Sequence, residues 1–551
     1  MEEVVYLSAS ELAARLREGE FSARQVVDAH IARIEAINPK INAMVIPMFD
    51  QARARADEAD ARRASGEPVG PLHGVPVTIK EQYRVTGTQT TLGATNKIGN
   101  VYRDEGSLVT ALRDAGAIVL GKTNIIQTLA GWESDNRVYG RSNNPWNLER
   151  SPGGSSGGEA AIVAAGGSAL GLAGDYGGST RVPAHFCGVH GLKPTSGRLT
   201  NDDFPIDLLG YGQETFIPQP GPIARTVADL GLAMQVFTAT SMRTTSDVVP
   251  PVPWRDPRSV PIEGMRVGFY TDNCLFSASP AIRRAVEEAA QALRQLGASV
   301  EQFSPPDSAE GARIFLGAVS AGGGDDYRRL LGNEKPIEQV AGMLQGLSTP
   351  PFIMAVVQRI MQARGQKHLA STMSYMGALS TKDYWKIVEA RTDYRARFHQ
   401  LLDEGALDAV ICPPAALPAF THGSSAHLLP ALSYAFVYNV IGAPAGVVAA
   451  TRVRPGEESD RKVSKDLADT TARKVEEASA GLPVGVQVVS RYWREDAVLA
   501  VMEALENHFR QQPDYPARPA LGVSPTCPRT RPKDAQTRPP GPGSTLGNPI
   551  V

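Results

Sequence analysis

SPGGSSGGEAAIVAAGGSALGLAGDYGGSTRVPAHFCGVHGLKPT, residues 151–195, places Ser155 and Ser179 24 positions apart, each inside a glycine-rich turn. The apolar residues between them predict a helix after Gly158 and a strand near 169–173, so both turns fall at element ends, where loops on a rigid scaffold carry function. Upstream, HGVPVTIKEQYRVTG (73–87) runs through Val75, Val77, Thr78 and Ile79 into Lys80. That β-branched run predicts a buried strand that ends on a cation.

A serine hydroxyl is a weak nucleophile until a neighbouring base removes its proton, and a lysine base must be neutral to do so. Lysine starts about three units above pH 7, so holding it neutral there costs roughly 4 kcal/mol. Desolvation supplies a shift of about 3 to 5 units when no carboxylate is close. Glu81 adjoins Lys80, but strand alternation directs it to the opposite face. A second serine can relay the proton from the nucleophile to the amine. In Tyr176-Gly177-Gly178-Ser179, bare backbone lets successive N–H groups converge on one point, as an oxyanion requires, and one such donor is worth about 3 to 4 kcal/mol of barrier.

The three segments, in this order and spacing, resemble the amidase signature family. The resemblance implies a Ser-cisSer-Lys triad with Ser179 as nucleophile, Ser155 after a cis Gly154–Ser155 bond as the bridge, and Lys80 as base. It also implies an oxyanion hole from the N–H groups of Tyr176, Gly177, Gly178 and Ser179, braced by Asp175 and Arg181, and an acyl-pocket segment containing Leu129 and Trp132. The implied fold is a single large α/β domain, its central mixed twisted β-sheet covered by helices on both faces. Motif detail is nearest to fatty acid amide hydrolases: SPGGSSGGE with Glu159, GGSTRVPAHFCGVHGLKPTSGRL, LSYAFVYNVIGAPAGVV and GLPVGVQVVSRYWRED, over roughly residues 70–510. Such a likeness implies a pocket for a long or aromatic acyl group and hydrolysis of hydrophobic acyl or aryl amides, with esters and carbamates as further substrates. Glu159 and Val182 depart from the tRNA amidotransferase pattern and disfavour glutamine as the natural substrate. Gly174 stands where many members carry a hydroxyl, so one hydrogen bond often made near Lys80 is expected to be missing or supplied by water.

Two rival readings stand beside this one. Gly153–Gly157 and Gly154–Gly158 each match G-x-S-x-G, the nucleophile elbow of α/β-hydrolases, for which His399, His422, His427 and His508 are late histidine candidates. The other rival is a catalytically silent binding subunit that kept the fold. A phosphate-binding P-loop is absent.

Composition fits one large enzyme: 551 residues, 42% hydrophobic, 21% charged, net charge −2. That balance offers no electrostatic footprint for nucleic acid. Cys187, Cys274, Cys412 and Cys527 show no CxxC and no metal spacing, so reduced thiols of a cytoplasmic protein, no metal and no cofactor are expected. The start, MEEVVYLSASELAARL, is unlike a signal peptide and no run of 18 apolar residues occurs, so neither a leader nor the anchor of animal fatty acid amide hydrolases is expected.

Ser8 and Ser22 read as helix caps, and 49–65 as a solvent-facing helix, giving 1–70 as an N-terminal helical segment of a domain spanning 1–510. Further helices are predicted at 107–115, 280–296 and 495–509. Strands are predicted at 117–121, 265–270, 408–414, 443–450 and 482–489, with 433–451 read as core strand and loop. Residues 511–551 are proline-rich and aperiodic, which predicts a disordered tail. In PPFIMAVVQRIMQARGQK (350–367), Phe352, Val356 and Ile360 share a helical face while Arg359, Arg364 and Lys367 carry charge. This pattern predicts either a membrane-touching cap or a packed helix. Expected partners are a small-molecule amide substrate, a peripheral membrane contact and a second copy in a homodimer.

Overall fold

The structure, a computed structural model, describes residues 3–202, 215–241 and 249–521. It is built on one mixed sheet of eleven strands: β1 (Met44–Pro47), β2 (Pro76–Lys80), β3 (Ile118–Thr123), β4 (Leu170–Asp175), β5 (His190–Lys193), β6 (Gln219–Ala224), β7 (Arg266–Phe269), β8 (Ser299–Gln302), β9 (Ala409–Cys412), β10 (Ala445–Arg452) and β11 (Pro483–Ser490). Their order is β1-β3-β2-β4-β6-β5-β10-β11-β9-β7-β8. Parallel pairing joins β3-β2-β4 and β9-β7-β8, whereas the centre from β4 to β9 is antiparallel throughout. Every residue of β2, β3, β4 and β11 is buried, so both faces of the sheet are covered. Helices supply that cover, among them Gly157–Ala164 over β4 and β6, and Glu495–Phe509 over β10 and β11.

The parallel register places the site. Val77 pairs with Leu170 and Ile79 with Leu172, so Lys80 and Asp175 finish neighbouring strands at the same edge of the sheet. The helix Gly157–Ala164 lies in the crossover from β3 to β4, and its N-terminus reaches that same edge because a crossover helix runs back along the strands. Ligands bind at this carboxyl edge in open α/β sheets.

Ser8 and Ser22 close capping boxes with Glu11 and Gln25, and the helix Phe49–Ala64 buries little more than Ala52 and Ala56. Three readings are corrected. Residues 433–441 form a helix rather than a strand, buried on all sides, which removes the one-sided periodicity that marks a surface helix. β6 was not expected, because Pro220 and Pro222 sit within it opposite Gly174 and Leu172, and proline is rare inside sheets. Residues 511–521 are part of the body: Pro516 is buried, and Asp514 accepts hydrogen bonds from Thr451 at 2.8 Å and Arg454 at 2.8 Å. The remainder of the proline-rich segment, with Cys527, lies outside the described residues.

Candidate active site

Lys80, the last residue of β2, is 1% exposed, and its Nζ lies 2.8 Å from the Ser155 hydroxyl in a hydrogen bond. The amine also donates to the Gly174 carbonyl at 3.3 Å. Burial lowers its pKa to about 7, against the opposing pull of Asp175, Glu159 and Glu81. A neutral amine that donates to Gly174 has a lone pair left to accept the Ser155 proton. Glu81 is turned away: its carboxylate accepts from the Thr91 amide (2.6 Å) and hydroxyl (2.8 Å), the Leu92 amide (3.2 Å) and the Tyr139 hydroxyl (3.2 Å).

The Gly154–Ser155 peptide bond is cis. Ser155 and Ser179 are both nearly buried, at 3% and 7% exposure, and their turns are tied by the Ser156 N–H, which donates to the Ser179 carbonyl at 3.2 Å. Among the described residues no hydrogen bond joins the two hydroxyls directly. Gly174 has a steric reason to lack a side chain: a Cβ there would lie 2.8 Å from the Tyr83 hydroxyl and 2.9 Å from Gln82 Nε2. With no hydroxyl at residue 174, Lys80 reaches the Gly174 main-chain carbonyl, which also accepts from the Ser156 hydroxyl at 3.2 Å.

Asp175 organises the second turn. Its carboxylate receives the Gly178 amide at 2.8 Å, the Thr180 amide at 3.1 Å, the Asn439 side chain at 2.9 Å and both Nε (3.0 Å) and Nη2 (2.9 Å) of Arg181. Burial alone would raise its pKa, yet the adjoining Arg181 charge and these donors hold it well below the usual carboxylate range. Arg181 reaches on to the Ala435 carbonyl, Gln487 and Asn439. The expected four-amide hole is corrected in one respect: the Gly178 N–H is engaged by Asp175.

Glu159 lies one turn beyond Ser155 and joins strand to helix. Thr78 of β2 and Thr123 of β3 (2.7 Å) both donate to its carboxyl group. Burial pushes its pKa up to about 7, while the two hydroxyls and Lys80 pull it down. The Trp132 indole donates to the Gly177 carbonyl at 3.0 Å, bracing the turn. Leu129 lies elsewhere, packed with Leu92, Ile125, Leu330, Leu331 and Val340 in a small separate core. Of the late histidines, His422 engages the Leu148 carbonyl at 3.1 Å and His399 packs on Tyr492; among the described residues none bonds to Ser155 or Ser179.

Asn439, Gln487, Thr78 and Thr123 were not singled out from the sequence as site residues. The available signal was polarity out of place: Asn439 interrupts an apolar run, and Gln487 interrupts PVGVQVVS. Among the described residues no three His, Cys, Asp or Glu side chains converge as a bound metal needs.

The amidase family profile matches residues 25–499. The chain belongs to the amidase signature family. It is 31% identical over 515 residues to fatty-acid amide hydrolase 1 of Sus scrofa, covering 92% of this chain and 86% of that protein. It is 30% identical over 508 residues to a glutamyl-tRNA(Gln) amidotransferase subunit of Synechococcus, covering 91% and 96%. A solved fatty acid amide hydrolase superposes with a TM-score of 0.80 at 27% identity over 92% of this chain and 85% of that one. The 6-aminohexanoate cyclic dimer hydrolase in complex with its substrate superposes at 0.72 and 25% identity, over 94% and 99%. This amidase is therefore a hydrolase of carbon–nitrogen bonds other than peptide bonds, and the histidine-dependent elbow reading is set aside.

Proposed function

We propose that the amidase hydrolyses amides of hydrophobic acyl or aryl acids, with esters and carbamates as further substrates, through an acyl-enzyme on Ser179. Ser179 Oγ attacks the carbonyl carbon as its proton passes to Ser155 and the Ser155 proton passes to Lys80. The tetrahedral oxyanion is received by the Tyr176, Gly177 and Ser179 amides. Lys80 then returns the proton through Ser155 to the leaving amine as the C–N bond breaks. Water attacks the resulting ester by the same relay, which releases the carboxylic acid and restores Ser179.

The observation that carries this reading is the 2.8 Å contact between a buried, readily neutral amine and the Ser155 hydroxyl. The Ser179-to-Ser155 link closes with substrate, since catalytic hydrogen bonds commonly tighten only in the substrate complex. The partly exposed rings of Tyr176 and Trp132 beside the turn favour an apolar acyl group. The test is a panel of fatty acyl, aryl acyl, carbamate and short primary amides, with mass-spectrometric mapping of fluorophosphonate labelling. Turnover of apolar amides and a single adduct on Ser179 are expected. An adduct confined to another serine, or a strong preference for acetamide-sized amides, refutes the reading, and no adduct with no turnover makes the chain catalytically silent.

A second proposal concerns the helix Pro351–Ala363. Phe352 (72% exposed), Val356 (54%) and Ile360 (47%) form one bare face, which touches a lipid surface peripherally. Among the described residues no single helix is long and apolar enough to cross a membrane. Sedimentation with phosphatidylcholine vesicles should carry down the wild type and lose the Phe352→Glu/Val356→Glu variant. Equal behaviour of both rejects the contact, and a dimer in light scattering that the variant abolishes assigns the face to self-association instead.

A further inference from the structure

Trp132, Glu133 and Ser134, consecutive in the chain and outside the triad, touch both serine turns. Ser134 is 1% exposed, and its hydroxyl donates to the Gly153 carbonyl at 3.0 Å and accepts the Gly157 N–H at 3.1 Å. Gly153 and Gly157 lie two residues before and two residues after Ser155, so one side chain spans the turn that carries the bridging hydroxyl. Gly157 opens the helix Gly157–Ala164, whose first amides have no partner within the helix, and Ser134 supplies one from outside. The fit is close: a Cβ at Gly157 would lie 2.5 Å from Ser134 Oγ, and one at Gly154 would lie 2.6 Å from the Glu133 backbone nitrogen. Trp132 treats the other turn in the same way, its indole holding the carbonyl of Gly177, two residues before Ser179. Glu133 anchors the segment: it is 1% exposed, and its carboxylate accepts the Gly423 N–H at 2.8 Å and the Ser425 N–H at 3.1 Å. The Ser142 N–H holds the Ser134 carbonyl at 2.8 Å.

We propose that Ser134 and Trp132 are positioning residues that set the separation of the Ser155 and Ser179 hydroxyls, one short segment gripping both turns so that the proton relay stays in line. Among the described residues neither side chain bonds to a relay hydroxyl; each acts through the backbone two residues away. Alignment is needed twice in acylation, when Ser179 loses its proton and when that proton returns to the leaving amine. The proposal deepens the acyl-enzyme reading and rests on Ser179 being the nucleophile.

The experiment compares the p-nitroanilide and the p-nitrophenyl ester of hexanoic acid in the wild type, Ser134→Ala and Trp132→Phe, with circular dichroism, the thermal midpoint and fluorophosphonate labelling at Ser179 recorded in parallel. The anilide needs a proton returned through Ser155 as its C–N bond breaks, whereas p-nitrophenolate departs as a stable anion. A misplacement of about 1 Å costs up to about 10²-fold in rate, and proton transfer by a positioned group is typically worth about 10²- to 10⁴-fold. In Ser134→Ala, kcat for the anilide is expected to fall about 10- to 100-fold with KM little changed, and the anilide-to-ester ratio of kcat about tenfold. Trp132→Phe, which keeps a ring and loses the N–H donor, shifts the ratio in the same direction and decides alone should Ser134→Ala fail to fold. An unchanged ratio in folded variants that still label at Ser179, even with both rates lowered together, reduces the two side chains to packing and overturns the proposal while leaving the acyl-enzyme intact. Absence of labelling and turnover in the wild type itself overturns the acyl-enzyme reading as well.

Discussion

Replacing Lys80 by alanine is expected to lower kcat/KM for amides by roughly 10⁴-fold while the protein stays folded, because the proton relay loses its terminus. Stability should change little, since a buried amine with its pKa lowered to about 7 is itself costly to hold. Single alanine changes at His399, His422, His427 and His508 should leave turnover intact. In the wild type, the base form of Lys80 exists only above its folded pKa. The rate therefore rises as pH climbs through about 7, then levels. Glu159 titrates in the same range and faces the same amine, so the limb reports the pair rather than one residue. Stopped assays from pH 5 to 9 check this, and full activity of Lys80→Ala, or a rate flat across that window, would sink the proposed relay.

The second large effect is structural. Asp175 and Arg181 form an ion pair with both side chains fully buried, and breaking such a pair by removing one partner typically costs about 3 to 5 kcal/mol. Asp175→Ala leaves the Arg181 charge uncompensated and frees the Gly178 and Thr180 amides. Urea unfolding should show a loss in that range, together with loss of fluorophosphonate labelling because the turn no longer holds its shape. Since the folded pKa of Asp175 is depressed, its stabilisation is complete above the unfolded carboxylate value of about 3.9 and is lost as pH falls below it. The destabilisation by Asp175→Ala should therefore shrink in acid; a midpoint within error of wild type at neutral pH would contradict the bracing role.

Much of the candidate site could be read before the fold was known because its chemistry is local. Glycines permit the two serine turns, and a β-branched run ending in Lys80 predicts a strand that buries an amine. The predicted helices at 280–296 and 495–509 match Pro280–Gln295 and Glu495–Phe509 closely, since a one-sided apolar stripe is a periodic signal. The signal fails where an element is buried all round, as in Ser433–Ile441, or where pairing overrides propensity, as for the two prolines of β6.

Residue order along the chain was enough to single out an amine, two alcohols and a glycine-lined turn as one candidate set, because each carries its own conformational signature within a few neighbours. Long-range packing settled the rest. It assigned the Gly178 amide to Asp175, filled the space at Gly174 with Tyr83, clamped Glu159 between Thr78 and Thr123, and stacked Phe315 on Phe436 beside Gly177. Each of these contacts joins residues whose positions depend on sheet register and helix docking, and such contacts leave no periodicity in the chain to be read.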